Sequence, residues 1–194
     1  MTESVAKFET VFLERNAPEN PNSAELLNWC KRFSEFGLAP LSGERSHGNL
    51  SFRGGKGMII TASGNNLGNC SENELVEVIE CEIENFSVKV VGLSEPSSET
   101  FIHWEIYKRR PELNAIFHGH SELILKHAAE LGIPVTENFA KAGTIELLKE
   151  IIDILNENKM IVAREHGFFS MGASMEEAGK IALEYLERAK ELEE

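Results

Sequence analysis

The chemistry in this sequence is concentrated at His118-Gly119-His120. On an extended strand, side chains two apart point to the same face, so both imidazoles can reach one ion, and Gly119 leaves the opposite face open. Zinc accepts imidazole nitrogens, and a catalytic zinc keeps three protein ligands and one open position. Two histidines so spaced, taken alone, read more simply as a structural pair. The metal reading needs a third, and His166 supplies it, ahead of Gly167 at a turn between two predicted strands. The other three histidines read differently. His103 and His127 fall within predicted helices, in core or surface roles, and His47 sits in a loop where it can face either way.

A second set of residues suits an anion. Gly48-Asn49, Ser63-Gly64 and Ser97-Ser98 are small, polar pairs at turns or helix starts. Backbone N–H groups at such places point outward, and a helix N-terminus adds a favourable dipole. Ordinary turn chemistry explains each pair taken singly. Neither a P-loop nor GxGxxG is present, so a nucleotide is not the anion expected.

These residues must be positioned by a fold, and the chain is long enough for one. Its 194 residues fit a single domain of ordinary size, read here as 1–194 with 1–22 as an N-terminal extension. Hydrophobic residues at 42% and charged residues at 26% are near the soluble-globular average. A net charge of −13 repels a phosphodiester backbone and argues against a nucleic-acid partner. A small anionic substrate then needs a local pocket working against the overall field. The sequence shows neither a bilayer-spanning run nor a secretory core behind Met1-Thr-Glu-Ser, so no membrane partner and a cytoplasmic location are expected. Cys30, Cys70 and Cys81 form no metal or redox spacing and read as incidental thiols.

The stretch to Asn22 has no regular pattern. Ser23 then reads as the N-cap of a helix that Gly37 stops. Asn49–Arg53 and Gly57–Thr61 around Gly54-Gly55-Lys56 predict a hairpin. Val76–Cys81 and Phe86–Gly92 predict a further strand pair. Ser97-Ser98 is expected to cap a helix to about Arg110, followed by a strand at Ala115–His118, a helix at Glu122–Leu131 and another at Thr144–Asn158. Strands at Met160–Ala163 and Phe168–Met171 precede a last helix with a Ser174…Glu177 capping box. The pattern predicts an α/β layer architecture.

Six stretches carry a family resemblance. Gly48-Asn49-Leu50-Ser51, Ile60-Thr61-Ala62-Ser63-Gly64, Glu95-Pro96-Ser97-Ser98-Glu99-Thr100, His118-Gly119-His120-Ser121, Ala142-Gly143-Thr144-Ile145-Glu146-Leu147 and Glu165-His166-Gly167 occur in this order. In order and spacing they resemble the class II aldolase/adducin family, whose members include fuculose-phosphate aldolase, ribulose-phosphate 4-epimerase and methylthioribulose-phosphate dehydratase. The resemblance runs from about Ser42 to the C-terminus. It implies a single α/β/α domain with a central, mainly antiparallel sheet, in a homotetramer with sites at subunit interfaces. It implies zinc, or another divalent metal, on His118, His120 and His166, with Glu99 as the acid/base residue. Asn49, Ser63, Gly64, Ser97 and Ser98 would hold the phosphate of a small phosphorylated sugar. Without the resemblance, Glu99 reads as an ordinary acid at a helix start.

The implied activity is a zinc-dependent lyase that cleaves a phosphorylated ketose through a metal-stabilised enediolate. A dehydratase or 4-epimerase on a pentulose phosphate is the alternative, and a non-catalytic adducin-like module a third reading. The family's fuculose-phosphate aldolases place a proton-donating tyrosine between the second and third histidines. Here Leu131–Ala142 contains none, and the chain's two tyrosines, Tyr107 and Tyr185, lie elsewhere.

Overall fold

A computed structural model describes residues 8–193; residues 1–7, with the polar start of the chain, and Glu194 lie outside it. Ten strands and five helices follow one another as β1 (Glu9–Glu14), α1 (Ser23–Glu35), β2 (Leu41–Ser42), β3 (Arg45–Ser46), β4 (Asn49–Gly54), β5 (Gly57–Thr61), β6 (Leu75–Glu82), β7 (Ser87–Gly92), α2 (Thr100–Arg109), β8 (Ala115–Gly119), α3 (Glu122–Lys126), α4 (Ile145–Leu155), β9 (Met160–Ala163), β10 (Gly167–Gly172) and α5 (Met175–Glu191). Eight strands form one sheet in the order β1-β7-β6-β5-β4-β8-β10-β9, and β2 with β3 makes a separate small hairpin. Every pairing in the large sheet is antiparallel except β1 on β7, which is parallel.

The strand period of two divides the apolar side chains between two cores. Leu50 and Phe52 of β4, Phe117 of β8 and Phe168 of β10 point to one face, which α1, α3 and α5 cover. Ile60 of β5, Ile116 of β8 and Phe169 and Met171 of β10 point to the other, under α2 and α4. The result is the α/β/α domain with a mainly antiparallel sheet. The rings of Phe33 and Phe117 meet edge to face at 5.4 Å. Each such fully buried ring contributes about 2–3 kcal/mol of transfer free energy. Close approach of α1 to α5 requires Gly179, where a Cβ would lie 2.2 Å from the Trp29 ring.

Several boundaries differ from the sequence expectation. The extension is not wholly irregular, because Glu9–Glu14 adds to the sheet edge as β1. Tertiary pairing overrides a weak local pattern there. Asn22, not Ser23, occupies the N-cap of α1, and its side chain makes no capping bond. Helix α2 starts at Thr100, with Glu99 at the cap position, because the Ser97 carbonyl accepts from the Thr100 N–H and hydroxyl. Helix α3 ends at Lys126, five residues before the expected end. The chain continues in turns to Gly132, whose φ of +68° suits glycine. Helix α4 stops at Leu155 instead of Asn158. Ser174 does accept from the Glu177 N–H, but the Glu177 carboxylate turns to the Ala173 N–H, so the reciprocal half of the box is displaced by one residue. The three cysteines are free thiols.

Candidate metal and active site

The strand period that builds the cores also builds the site. Phe117 and Gly119 of β8 face α1, so His118, and His120 just beyond the strand, face the α2 side. His166 arrives at the same place from the tight turn before β10, where Glu165 adopts a φ of +56°. One ring nitrogen from each of the three histidines lies within 4.8 Å of the others. The His118 and His166 rings stack with centroids 5.0 Å apart. Phe169, opposite His118 in the β8–β10 register, backs the His118 ring at 4.3 Å.

Gly119 is needed for a different reason from the one expected. The face opposite the histidines is filled, and a Cβ there would lie 2.5 Å from Phe168 Cζ and 2.8 Å from the Leu38 carbonyl oxygen. That same carbonyl accepts the His120 N–H at 2.8 Å, which ties the end of the strand to the segment after α1.

Glu99 closes the cluster. Its Oε1 lies 2.9 Å from His166 Nε2, and its Oε2 lies 3.1 Å from His118 Nε2. Asn49 begins β4 directly opposite His118 in the register, and its Nδ2 donates to Glu99 Oε2 at 2.7 Å. Asn49 was expected at a phosphate. It lines the cavity beside the metal cluster, but its amide N–H holds the carboxylate, and its buried Oδ1 is without a hydrogen-bond partner.

The donor set fits a divalent cation. His118 Nδ1 lies 2.8 Å from the Phe168 carbonyl, which can only accept, so the ring proton sits on Nδ1 and the Nε2 lone pair points into the cluster. Burial pushes the His118 imidazole down to about 4, with Glu99 pulling the other way, so it is neutral at pH 7. Burial likewise pushes His120 down to about 3, aided by His118 and His166. Burial alone would push the Glu99 carboxyl up, but His118, His166 and Asn49 hold it well below the usual carboxylate range. With its Nδ1 proton committed to the Phe168 carbonyl, His118 turns Nε2 toward Glu99 Oε2 at 3.1 Å. A second imidazole nitrogen, His120 Nε2, lies 3.1 Å from His118 Nε2. Neutral imidazoles and a carboxylate converging in this way are the ligand chemistry of zinc and similar divalent metals.

A cavity of about 160 Å³ opens beside the cluster, lined by Glu99, His120 and His166 together with Ser63, Gly64, Ser97 and Ser98. The expected anion set is thus brought together, though not all of its backbone N–H groups are available. The Ser63 N–H is bonded to the Glu95 carbonyl and the Ser97 N–H to the Thr61 carbonyl. Ser97 Oγ also receives the Glu99 N–H at 3.3 Å, which ties the carboxylate's backbone to the same loop. The cavity has room for a phosphate on a short carbon chain.

His103 and His127 stay outside the cluster. His103 is buried in α2 with Nδ1 2.7 Å from Ser51 Oγ, and His127 meets the carboxylate of Glu193. His47 resolves toward the site, on the cavity rim with its ring 5.2 Å from that of His120. The partners that sequence reasoning missed are the Phe168 carbonyl, the Phe169 ring and the Leu38 carbonyl. Only the register of β8 against β10 and the path of the chain after α1 reveal them.

Together these features define an α/β/α protein with a histidine–carboxylate cluster whose donors fit a divalent metal, beside a small polar cavity. Residues 24–193 match the class II aldolase and adducin N-terminal domain family. The chain belongs to that family, as an enzyme of the class II aldolase type. It is 31% identical over 147 residues to an L-fuculose phosphate aldolase of Methanococcus vannielii, covering 69% of this chain and 76% of that one. It is 29% identical over 160 residues to the 5-methylthioribulose-1-phosphate/5-deoxyribulose-1-phosphate aldolase of Rhodospirillum rubrum, covering 74% and 69% respectively. In fold it resembles a solved L-fuculose 1-phosphate aldolase with a TM-score of 0.74 at 23% identity, over 91% of this chain and 86% of the other. No helix among the described residues is long and apolar enough to cross a membrane.

Proposed function

We propose that the protein is a zinc-dependent aldolase that cleaves a ketose 1-phosphate between C3 and C4, giving dihydroxyacetone phosphate and an aldehyde. The observation that carries this is His118 Nε2 facing the Glu99 carboxylate, next to a cavity sized for a phosphate on a short carbon chain. Both curated relatives described above bear names of aldolases acting on phosphorylated ketoses, which supports the substrate class. Retention of all three histidines and Glu99 argues against a non-catalytic adducin-like module.

His118, His120 and His166 would hold the metal, with Glu99 beside them. A zinc ion held there would supply Lewis acidity for the negative charge that develops next to the substrate carbonyl. The hydroxyls of Ser63, Ser97 and Ser98 and the N–H of Gly64 bind the phosphate and so fix the distance between the reacting carbons and Glu99. In the condensation direction the Glu99 carboxylate, ionised and oriented by Asn49, takes a proton from the carbon next to the carbonyl. In cleavage the C4 hydroxyl gives its proton to water as the C3–C4 bond breaks and the aldehyde forms, and the Glu99 carboxyl, having taken up a proton from solvent, delivers it to C3, so that one proton is lost and one gained.

The test is incubation of dihydroxyacetone phosphate with zinc-loaded protein in deuterated water, followed by NMR. Stereospecific exchange of one carbon-bound hydrogen is expected, and Glu99→Gln should lose it by about 10²–10⁴-fold while retaining zinc. Absence of exchange in the zinc-loaded wild type sinks the proposal. Screening ketose phosphates by NMR separates cleavage from the alternatives: dehydration releases water, and epimerisation yields an isomer. The reading also takes the enzyme to be a cytoplasmic homotetramer. Light scattering should then give four times the 21.7 kDa of one chain.

A further inference from the structure

We propose that Arg45 is the cationic contact for the substrate's phosphate, a role that rests on the function proposed above. The pocket poses an electrostatic problem. A phosphate arriving there meets the Glu99 carboxylate and a chain of net charge −13, yet no lysine or arginine is among the residues that line it. Neutral hydroxyl and N–H donors position a phosphate but supply no formal charge.

Arg45 is placed to supply it. It sits on β3, in the hairpin that leads into Gly48-Asn49. Its backbone neighbour Ser46 is fastened to the Ser63–Leu67 segment twice: the Ser46 N–H donates to the Asn65 carbonyl at 2.9 Å, and Ser46 Oγ accepts the Leu67 N–H at 3.0 Å. The hairpin therefore travels with the Ser63-Gly64 turn. The Arg45 side chain lies over that turn, with Nε and Cζ 3.5 and 3.6 Å from the point a Gly64 Cβ would occupy. Gly64 has a φ of +76°, so it exposes its backbone to the guanidinium with no side chain between them.

Arg45 is also uncommitted. Its residue is exposed, and it makes no ion pair among the described residues. Of the chain's other arginines, Arg15, Arg32 and Arg188 lie over the rings of Phe12, Trp29 and Tyr185, Arg53 donates to the Leu113 and Tyr107 carbonyls, Arg109 and Arg110 pair with Glu105 and Glu112, and Arg164 donates to the Thr136 carbonyl. A guanidinium lying over the Ser63-Gly64 turn, which itself lines the cavity, presents a fork of N–H donors that matches phosphate oxygens. Arg45 thus selects phosphorylated over unphosphorylated sugars by binding, without touching the reacting carbons.

Calorimetric titration of inorganic phosphate into wild type, Arg45→Ala and Arg45→Lys tests this without depending on turnover. Arg45→Ala should weaken phosphate binding about tenfold and flatten its salt dependence, Arg45→Lys should recover part of the loss, and thermal stability should stay the same. With a ketose phosphate that the wild type cleaves, KM should rise with little change in kcat, the mark of lost uniform binding. Wild-type affinity and KM in Arg45→Ala would overturn the role of Arg45 and leave the aldolase reading intact. No phosphate binding by the wild type would overturn both the role of Arg45 and the phosphate pocket, leaving only the metal cluster.

Discussion

At the scale of single residues, the site depends on which atoms have partners and which lack them. Asn49 shows this. Its Nδ2 holds Glu99 Oε2 at 2.7 Å, and its own strand register places it across from His118. It orients the carboxylate from outside the histidine set. Groups that hold a metal site's carboxylate commonly account for 10- to 100-fold in metal affinity or activity. Asn49→Ala should therefore lower zinc affinity or turnover by about 10–100-fold, with little loss of fold. A chelator-competition titration checks it. Asn49→Asp should be worse than alanine for the metal-free protein, because it places a second carboxylate against Glu99 in a buried site.

At the scale of elements, β8 and β10 form one device. Their pairing sets His118 against Phe169 and brings the Phe168 carbonyl to His118 Nδ1. Both faces of β8 carry core, Phe117 on one and Ile116 on the other, and at its end the Ile116 face turns from core to the histidine cluster. Gly119 is the narrow point between them. A methyl group there meets Phe168 Cζ at 2.5 Å and the Leu38 carbonyl oxygen at 2.8 Å, and the carbonyl is backbone that cannot rotate away. Gly119→Ala should cost about 1–3 kcal/mol in thermal or denaturant unfolding, as overpacked cores do. It should also impair zinc binding, since the same carbonyl anchors His120. Unchanged stability and unchanged zinc affinity together would show that the strand end relaxes freely.

At the scale of the whole molecule, burial decides the response to acid. His103 is enclosed in α2 against Ser51, and its imidazole is pushed down to about 4 by burial, with Glu99 pulling the other way. Unfolded, the same imidazole titrates near 6.5. Between those values the unfolded chain binds a proton that the folded chain does not, so stability is full above about pH 6.5 and falls toward pH 4. The shift amounts to on the order of 3 kcal/mol for His103. Denaturant unfolding of metal-free protein at stepped pH should show this decline, and His103→Leu should make it shallower. An equal slope in the variant would remove His103 from the account.

Much of this was legible in the sequence, and for identifiable reasons. The period-two spacing of His118 and His120 marked two members of the histidine cluster, and the hairpin signals around Gly54-Gly55-Lys56 and between Val76 and Gly92 marked four strands that the fold contains. Local rules suffice where neighbouring residues determine the geometry. They failed at Glu9–Glu14, whose strand depends on a partner near residue 90, and at Glu99, whose position just before α2 depends on the hydrogen bonds that Thr100 donates to the Ser97 carbonyl. The six ordered motifs pointed to the family, and the residues they carry are those that the fold gathers around one cavity. The tertiary structure alone decided that His118 commits its Nδ1 proton to the Phe168 carbonyl, that Asn49 serves Glu99, and that the face behind Gly119 is closed. Each of these is a contact between residues about 50 or more apart, or between β8 and the chain after α1, and only the packed sheet sets such distances.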